Sequence, residues 1–219
     1  MFTKIKTTLL PYRTKLAILG VVILALFVWH PFARDGITDT VEAVASQQSR
    51  SERAFGNIDT SSLSPARQRV FTIIQQEYDK NPKYFDDAVM TYTEGIRESW
   101  CADFISWTYL QADTQLVNPH SGYWRIPGVL TLQTYFRDNG AYTSVDSGYI
   151  PKLGDVAFYI GSQTPDNTSD EHAAFVIAVN GDQITTLGGN EGTGVMRLRT
   201  ETIQQNKDKG LVGYGQLEL

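Results

Sequence analysis

The 219-residue chain is 42% hydrophobic and 11% aromatic, enough apolar mass to build a core and too much for a chain disordered throughout. Its net charge of -5 is unevenly spread: the first 34 residues hold five of the 19 basic side chains and no acid, leaving 14 basic against 24 acidic residues beyond them. That acidic remainder carries no Lys/Arg stripe interleaved with aromatics, which excludes a nucleic-acid-binding body.

The N-terminus begins with a basic segment, residues 1-15, followed by the uninterrupted apolar run Leu16 to Trp29. A membrane-spanning helix needs about 20 apolar residues. Leu9 and Leu10 before the run, with Phe32 and Ala33 after it, extend the apolar span, and Trp29 suits an interface. Residues 16-33 therefore read as a transmembrane signal anchor. Cleavage after Ala43-Val44-Ala45 is the competing reading, but that small-x-small site lies well past the apolar run, beyond Arg34, Asp35, Asp39 and Glu42. The positive charges ahead of the helix place the N-terminus in the cytoplasm and the rest of the chain outside. Residues 34-62 are polar and rich in Ser, Gln and Thr, and read as an extracytoplasmic linker to a globular domain over residues 63-219.

In that domain, Ser64-Pro65 is a helix-start signal, and Val70, Ile73, Ile74 and Tyr78 recur at helical spacing until Asn81-Pro82 stops them. A short second helix is expected within Tyr84 to Thr93, broken by Gly95. The run SWCADFISW, Ser99 to Trp107, has the apolar spacing of a buried helix opened by Cys101, with Ser99 as a candidate N-cap. A fourth helix runs from Val129 to Phe136 and ends at Asp138-Asn139-Gly140. The character then changes. Asp155 to Ile160, Ala173 to Val179, Gln183 to Leu187, Val195 to Leu198 and Leu211 to Tyr214 are short apolar or alternating runs between turn residues, so the class is α+β, with N-terminal helices packed on a C-terminal antiparallel sheet.

Cys101 is the only cysteine. In an exported domain a lone thiol has no disulfide partner in its own chain, and a position in the first turn of a helix favours thiolate over thiol. Three histidines exist, and His30 sits at the edge of the apolar run. His120, in the turn Asn118 to Gly122, reads as a solvated loop residue. His172 opens an apolar strand and is the candidate base. Asn180-Gly181-Asp182 is a hairpin signal. If all three are loop, Val179 faces Gln183 and His172 faces Asn190; with a two-residue Asn-Gly turn, Asn190 becomes a diagonal neighbour. Either way Asn190 lies near the imidazole, and Cys101, His172 and Asn190 take the roles of nucleophile, base and orienting group.

Trp100 to Phe104, Pro151 to Val156, His172 to Val176 and Gly188-Gly189-Asn190, in that order, resemble the successive motifs of CHAP domains, the cysteine- and histidine-dependent amidohydrolases/peptidases. The resemblance covers about residues 84 to 216. It implies a papain-like fold and hydrolysis of amide bonds in peptidoglycan, with Cys101 matching the family nucleophile and His172 the base. One departure stands out: many members have a glutamate two residues before the asparagine, where this chain has Gly188. The third role then falls on Asn190, with Glu191 and Glu171 as nearby acids able to substitute. Trp100, Trp124 and Tyr123 are candidates for lining a sugar- or peptide-binding groove, with core packing the competing role for Trp100 and Trp107. No cofactor or metal is expected, since the cysteine and the histidines are too few for zinc, and Asp166, Asp170 and Glu171 lack the dense carboxylate alternation of a calcium loop.

The expectation is a membrane-anchored, extracytoplasmic cysteine hydrolase of peptidoglycan, cleaving either the N-acetylmuramoyl-L-alanine amide or a bond in the wall peptide. The alternative is an inactive wall-binding or scaffold module that keeps the fold.

Overall fold

The computed structural model describes residues 48-161, 164 and 170-217. The expected cytoplasmic segment and the anchor at residues 16-33 lie outside them. Among the described residues, no helix is long and apolar enough to cross a membrane.

Helix α1 spans Arg50–Phe55 and α2 Pro65–Lys80. The start and stop of α2 follow the sequence signals: the Ser64 hydroxyl accepts from Arg67 N, and Asn81 closes the helix in the left-handed conformation at φ 51°. Helix α3 (Asp87–Tyr92) is capped by the Asp86 carboxylate, α4 runs Cys101–Gln111 and α5 Val129–Asp138. The strands follow as β1 (Tyr142–Ser144), β2 (Val156–Ile160), β3 (Glu171–Asn180), β4 (Gln183–Glu191) and β5 (Val195–Thr202), then helix α6 (Ile203–Asp208) and β6 (Leu211–Gly215). They form one antiparallel sheet in the order β1-β6-β2-β3-β4-β5. This is the expected α+β arrangement. Strand β1 and helix α6 are additions: β1 is three residues long and α6 a single capped hexapeptide, both too short for periodicity to reveal.

The main core lies between the helices and one face of the sheet. There Phe104 and Tyr109 of α4 meet Phe175 of β3 edge-on, at ring-centroid distances of 5.6 and 5.5 Å. A smaller apolar cluster on Ala157, Tyr159, Val176 and Tyr214 fills the other face, covered in part by Val145 and Ile203. One buried ion pair ties α2 to the sheet and the C-terminal strand. The Arg67 guanidinium donates to Asp155 Oδ1 at 2.8 Å and to the carbonyls of Leu153 and Leu217, while Asp155 accepts from Tyr149 Oη, Lys152 N and Leu217 N. Asp155 is thus the anchor of the turn at Pro151 to Gly154.

Two expectations are corrected. The boundary expected at residue 62 falls too late, because Arg50–Phe55 is a helix packed into the domain. Phe55 is buried against the rings of Phe71 and Tyr78, and Ser51 N and Oγ both donate to the Asp79 carboxylate at 2.6 Å. One buried aromatic in a polar hexapeptide leaves too little apolar pattern to reveal it. The β3-β4 turn is also different: Asn180 pairs with Gln183, so the loop residues are Gly181 and Asp182.

Phe55→Ala tests the revised boundary. Emptying that site should cost about 3 to 4 kcal/mol of unfolding free energy in a urea titration of the full chain. A change within about 0.5 kcal/mol, as at an ordinary surface position, would return Arg50–Phe55 to the linker.

Candidate active site

Cys101 stands at the first position of α4, with its thiol almost fully buried. The N-cap is Trp100, not Ser99, and no side chain caps the helix. The first-turn N-H groups therefore face the thiol's surroundings without a side-chain acceptor. Trp100 itself is wholly buried, packed against Tyr92, Phe104 and the backbone of Gly189, where a side chain at position 189 would collide with the indole. It is a core residue, not a groove wall. Trp124 is also buried, at 7% exposure, and its neighbour Tyr123 carries the exposed ring. His120 is in the exposed loop, where its N-H donates to Asn118 Oδ1 at 2.9 Å.

His172 is fully buried near the start of β3, opposite Tyr159 of β2. Its Nε2 lies 3.6 Å from Glu191 Oε1, and the ring also interacts with the Cys101 side chain. Glu191 is itself buried, and its Oε2 accepts from Arg199 Nε at 2.6 Å. The acid that contacts the imidazole is therefore Glu191. Asn190, expected in that place, has φ 59° and lines a neighbouring cavity.

Two register shifts produce this arrangement. Strand β3 has one extra residue between Val176 and Ala178, which carries the two-residue turn over to the register expected for a three-residue one, with Ala174 facing Gly188. Strand β4 then has its own bulge. Gly188 pairs with Arg197 and Glu191 with Val195, so three residues of β4 are spanned by two of β5. A one-residue bulge reverses the alternation of faces. Glu191, which strict alternation would send to the opposite side from Gly188, lands on the same side. Gly188 is essential to the result: a Cβ there would sit 2.6 Å from His172 Nε2 and closer still to Glu191 Oε1. The signal available in the sequence was the Asn-Glu-Gly cluster at positions 190 to 192, a place where Asn and Gly readily take positive φ.

Burial works against a charged His172. Its hydrogen bonds to Cys101 and Glu191, with the negative charge of those partners, outweigh that and raise its pKa to about 10. Among the described residues, no three His, Cys, Asp or Glu side chains stand together as metal ligands.

Two cavities meet at Ser99. One, of about 290 Å³, is lined by Cys101, Pro127, Gly128, Val129, Asp170 and Glu171; the other, of about 400 Å³, by Tyr84, Asn190, Gly192, Thr193 and Gly194. The loop that walls the first is fastened to α4: Arg125 Nε lies 2.7 Å from Asp103 Oδ1, and Ile126 N donates to Ser106 Oγ. A buried thiol beside an imidazole backed by a carboxylate, opening on a groove, is an arrangement for nucleophilic attack on a carbonyl.

Residues 91-190 match the CHAP domain family. The family consists in general of cysteine- and histidine-dependent amidohydrolases or peptidases acting on peptidoglycan, and the match contains Cys101 and His172. It ends one residue before Glu191. No curated protein matches the chain. Among solved structures, one described as "The crystal structure of Ly7917" is similar at 16% identity with a TM-score of 0.37, covering 53% of this chain and 52% of that one. The chain thus spans about half the length of that protein.

The partner of His172 can be assigned by titration. NMR of the His172 ring should show it protonated through neutral pH and releasing its proton near pH 10. Glu191→Gln should move that titration down toward the ordinary value of about 6.5, whereas Asn190→Ala should leave it in place; the reverse outcome would restore Asn190. Because the folded value is raised, the charged ring contributes stability that is fully present below about pH 6.5 and lost as the pH climbs through 10.

Proposed function

We propose that the chain is a membrane-anchored, extracytoplasmic cysteine hydrolase that cleaves an amide bond of peptidoglycan with Cys101 as nucleophile, His172 as base and Glu191 as the group that orients His172. The observation that carries this reading is the contact chain from Arg199 through Glu191 to His172 and Cys101, at the wall of an open cavity. The anchor rests on the apolar run at residues 16-33 and the basic residues before it.

The chemistry follows from the positions. With His172 holding the proton given up by the thiol, the Cys101 sulfur attacks the carbonyl carbon of the amide. Negative charge develops on the carbonyl oxygen, where uncapped N-H groups of the first turn of α4 stabilise it. The carbon-nitrogen bond then breaks as the imidazolium gives its proton to the departing amine, leaving a thioester. Water, deprotonated by His172, attacks the thioester; the acid leaves and the thiol regains its proton. Glu191 keeps the ring in one orientation through both half-reactions and balances its charge. Gly188 suggested a module that had lost a catalytic group, but the space it opens is filled by a carboxylate from three residues later.

The test is to incubate the purified chain with peptidoglycan and analyse the soluble fragments by mass spectrometry, beside Cys101→Ala and His172→Ala. Fragments from the parent alone, with one new terminus, are expected. Binding by all three proteins with no fragments from any would establish the wall-binding module instead.

A further inference from the structure

Tyr84 is half exposed, yet it is held in place more firmly than a stray surface aromatic. Its ring stacks on Phe85 with centroids 3.7 Å apart, and the Arg97 guanidinium lies 4.8 Å over the Phe85 ring. Phe85 sits at φ 63°, a left-handed conformation that an aromatic residue adopts only under constraint from its surroundings. The backbone on either side is fixed as well: Lys83 bridges to Val195, and Lys83 N donates to Asp86 Oδ2 at 2.6 Å. Across the loop, Gly194 has φ 76°, and a Cβ there would fall 2.5 Å from Tyr84 Cβ. A strained phenylalanine, a stacked cation and a glycine that makes room all support one exposed ring that contributes little to the core.

The ring borders the cavity of about 400 Å³ whose other walls are Ser99, Asn190, Gly192, Thr193 and Gly194. Those walls offer hydroxyl, amide and backbone groups and no charge. The volume is within the range of small-molecule sites, roughly 300-1,000 Å³. An exposed aromatic face above neutral hydrogen-bonding groups suits a pyranose, which presents C-H groups on one face and hydroxyl or acetamido groups around its edge. The second cavity differs in chemistry. It shares Ser99, contains Cys101, and has the carboxylates of Asp170 and Glu171, which suit a peptide bearing an ammonium group.

We infer that Tyr84 is a stacking platform for a sugar ring of the glycan, so that the substrate lies with saccharide on the Tyr84 side of Ser99 and peptide on the Cys101 side. The inference rests on the hydrolase reading and sharpens it. With sugar on one side and peptide on the other, the bond presented to Cys101 is the one that joins them, the muramoyl-L-alanine amide, and not a bond within the peptide.

The test separates binding from turnover. The full chain carrying Cys101→Ala is titrated, by calorimetry, with a disaccharide-peptide fragment of peptidoglycan and with the same peptide lacking sugar. The disaccharide-peptide should bind roughly five- to tenfold more tightly, the scale of one aromatic contact. Adding Tyr84→Ala should abolish the difference while leaving affinity for the bare peptide unchanged, and Tyr84→Phe, which keeps the face, should preserve it. Equal affinities in the parent, or a preference that survives Tyr84→Ala, would overturn the platform. Parent protein that cuts the wall only within its peptides would overturn it too, while leaving the hydrolase intact. Platform binding without cleavage by the parent would instead overturn the hydrolase.

Discussion

The site depends on a single extra residue in strand β4. Without the bulge between Gly188 and Glu191, the Glu191 carboxylate would be on the far side of the sheet from His172, and no acid of that strand would reach the imidazole. With it, Glu191 comes over the bare backbone of Gly188, in the space where a side chain would otherwise stand. Gly188 and Glu191 are therefore one feature. The chain lacks an acid where many CHAP domains have one, and the same loss of side chain makes room for an acid supplied three positions later.

A bulge can re-aim one residue only if the strands around it are fixed, and here the fixing is done at a distance. Arg67 holds the turn before β2 through Asp155 and Leu153 and holds the C-terminal segment through Leu217, so the middle of the sheet is pinned to α2. Both side chains of that pair are buried and each has several further partners, the condition under which an ion pair in the interior is tolerated. In the same core, Phe104 and Tyr109 seat α4 on Phe175, which sets the height of Cys101 relative to His172, three residues earlier on the same strand. Trp100 then fits against Gly189, so the residue before Cys101 rests on the residue after Gly188. Cys101 and the bulge are thus located against each other by direct packing, which is why a large aromatic precedes the cysteine and two glycines precede Asn190.

Much of this could be read from residue spacing. The caps of α2, the helix opened by Cys101 and the five longer strands follow from local chemistry and simple periodicity, and the same reading points to Cys101 and His172, which the fold brings together. The contact of Glu191 with His172 does not follow, because period-two reasoning assumes unbroken alternation, and two bulges break it. They act in opposite senses: the first returned the β3-β4 register to one of those anticipated, which made Asn190 look well placed, and the second swung Glu191 in beside the ring. Trp100 and Trp124 look like groove residues from their position near the cysteine, yet burial depends on contacts distant in sequence that no local pattern carries. Tyr84 drew no attention for the converse reason, since its significance lies in Phe85, Gly194 and Val195, which converge only in the fold.

The electrostatics of the site impose a final constraint. In the proposed reaction, with the thiol proton on His172, four charges of alternating sign follow one another: the Cys101 sulfur, the imidazolium, the Glu191 carboxylate and the Arg199 guanidinium. The line is neutral as a whole, and only its Arg199 end is in appreciable contact with solvent, at 21% side-chain exposure. Burial of His172 alone would favour a neutral ring. The charged ring is favoured because Cys101 and Glu191 stand beside it, and Arg199 holds Glu191 in that place. That coupling gives Arg199, which touches neither substrate nor sulfur, a part in deciding where the thiol proton resides.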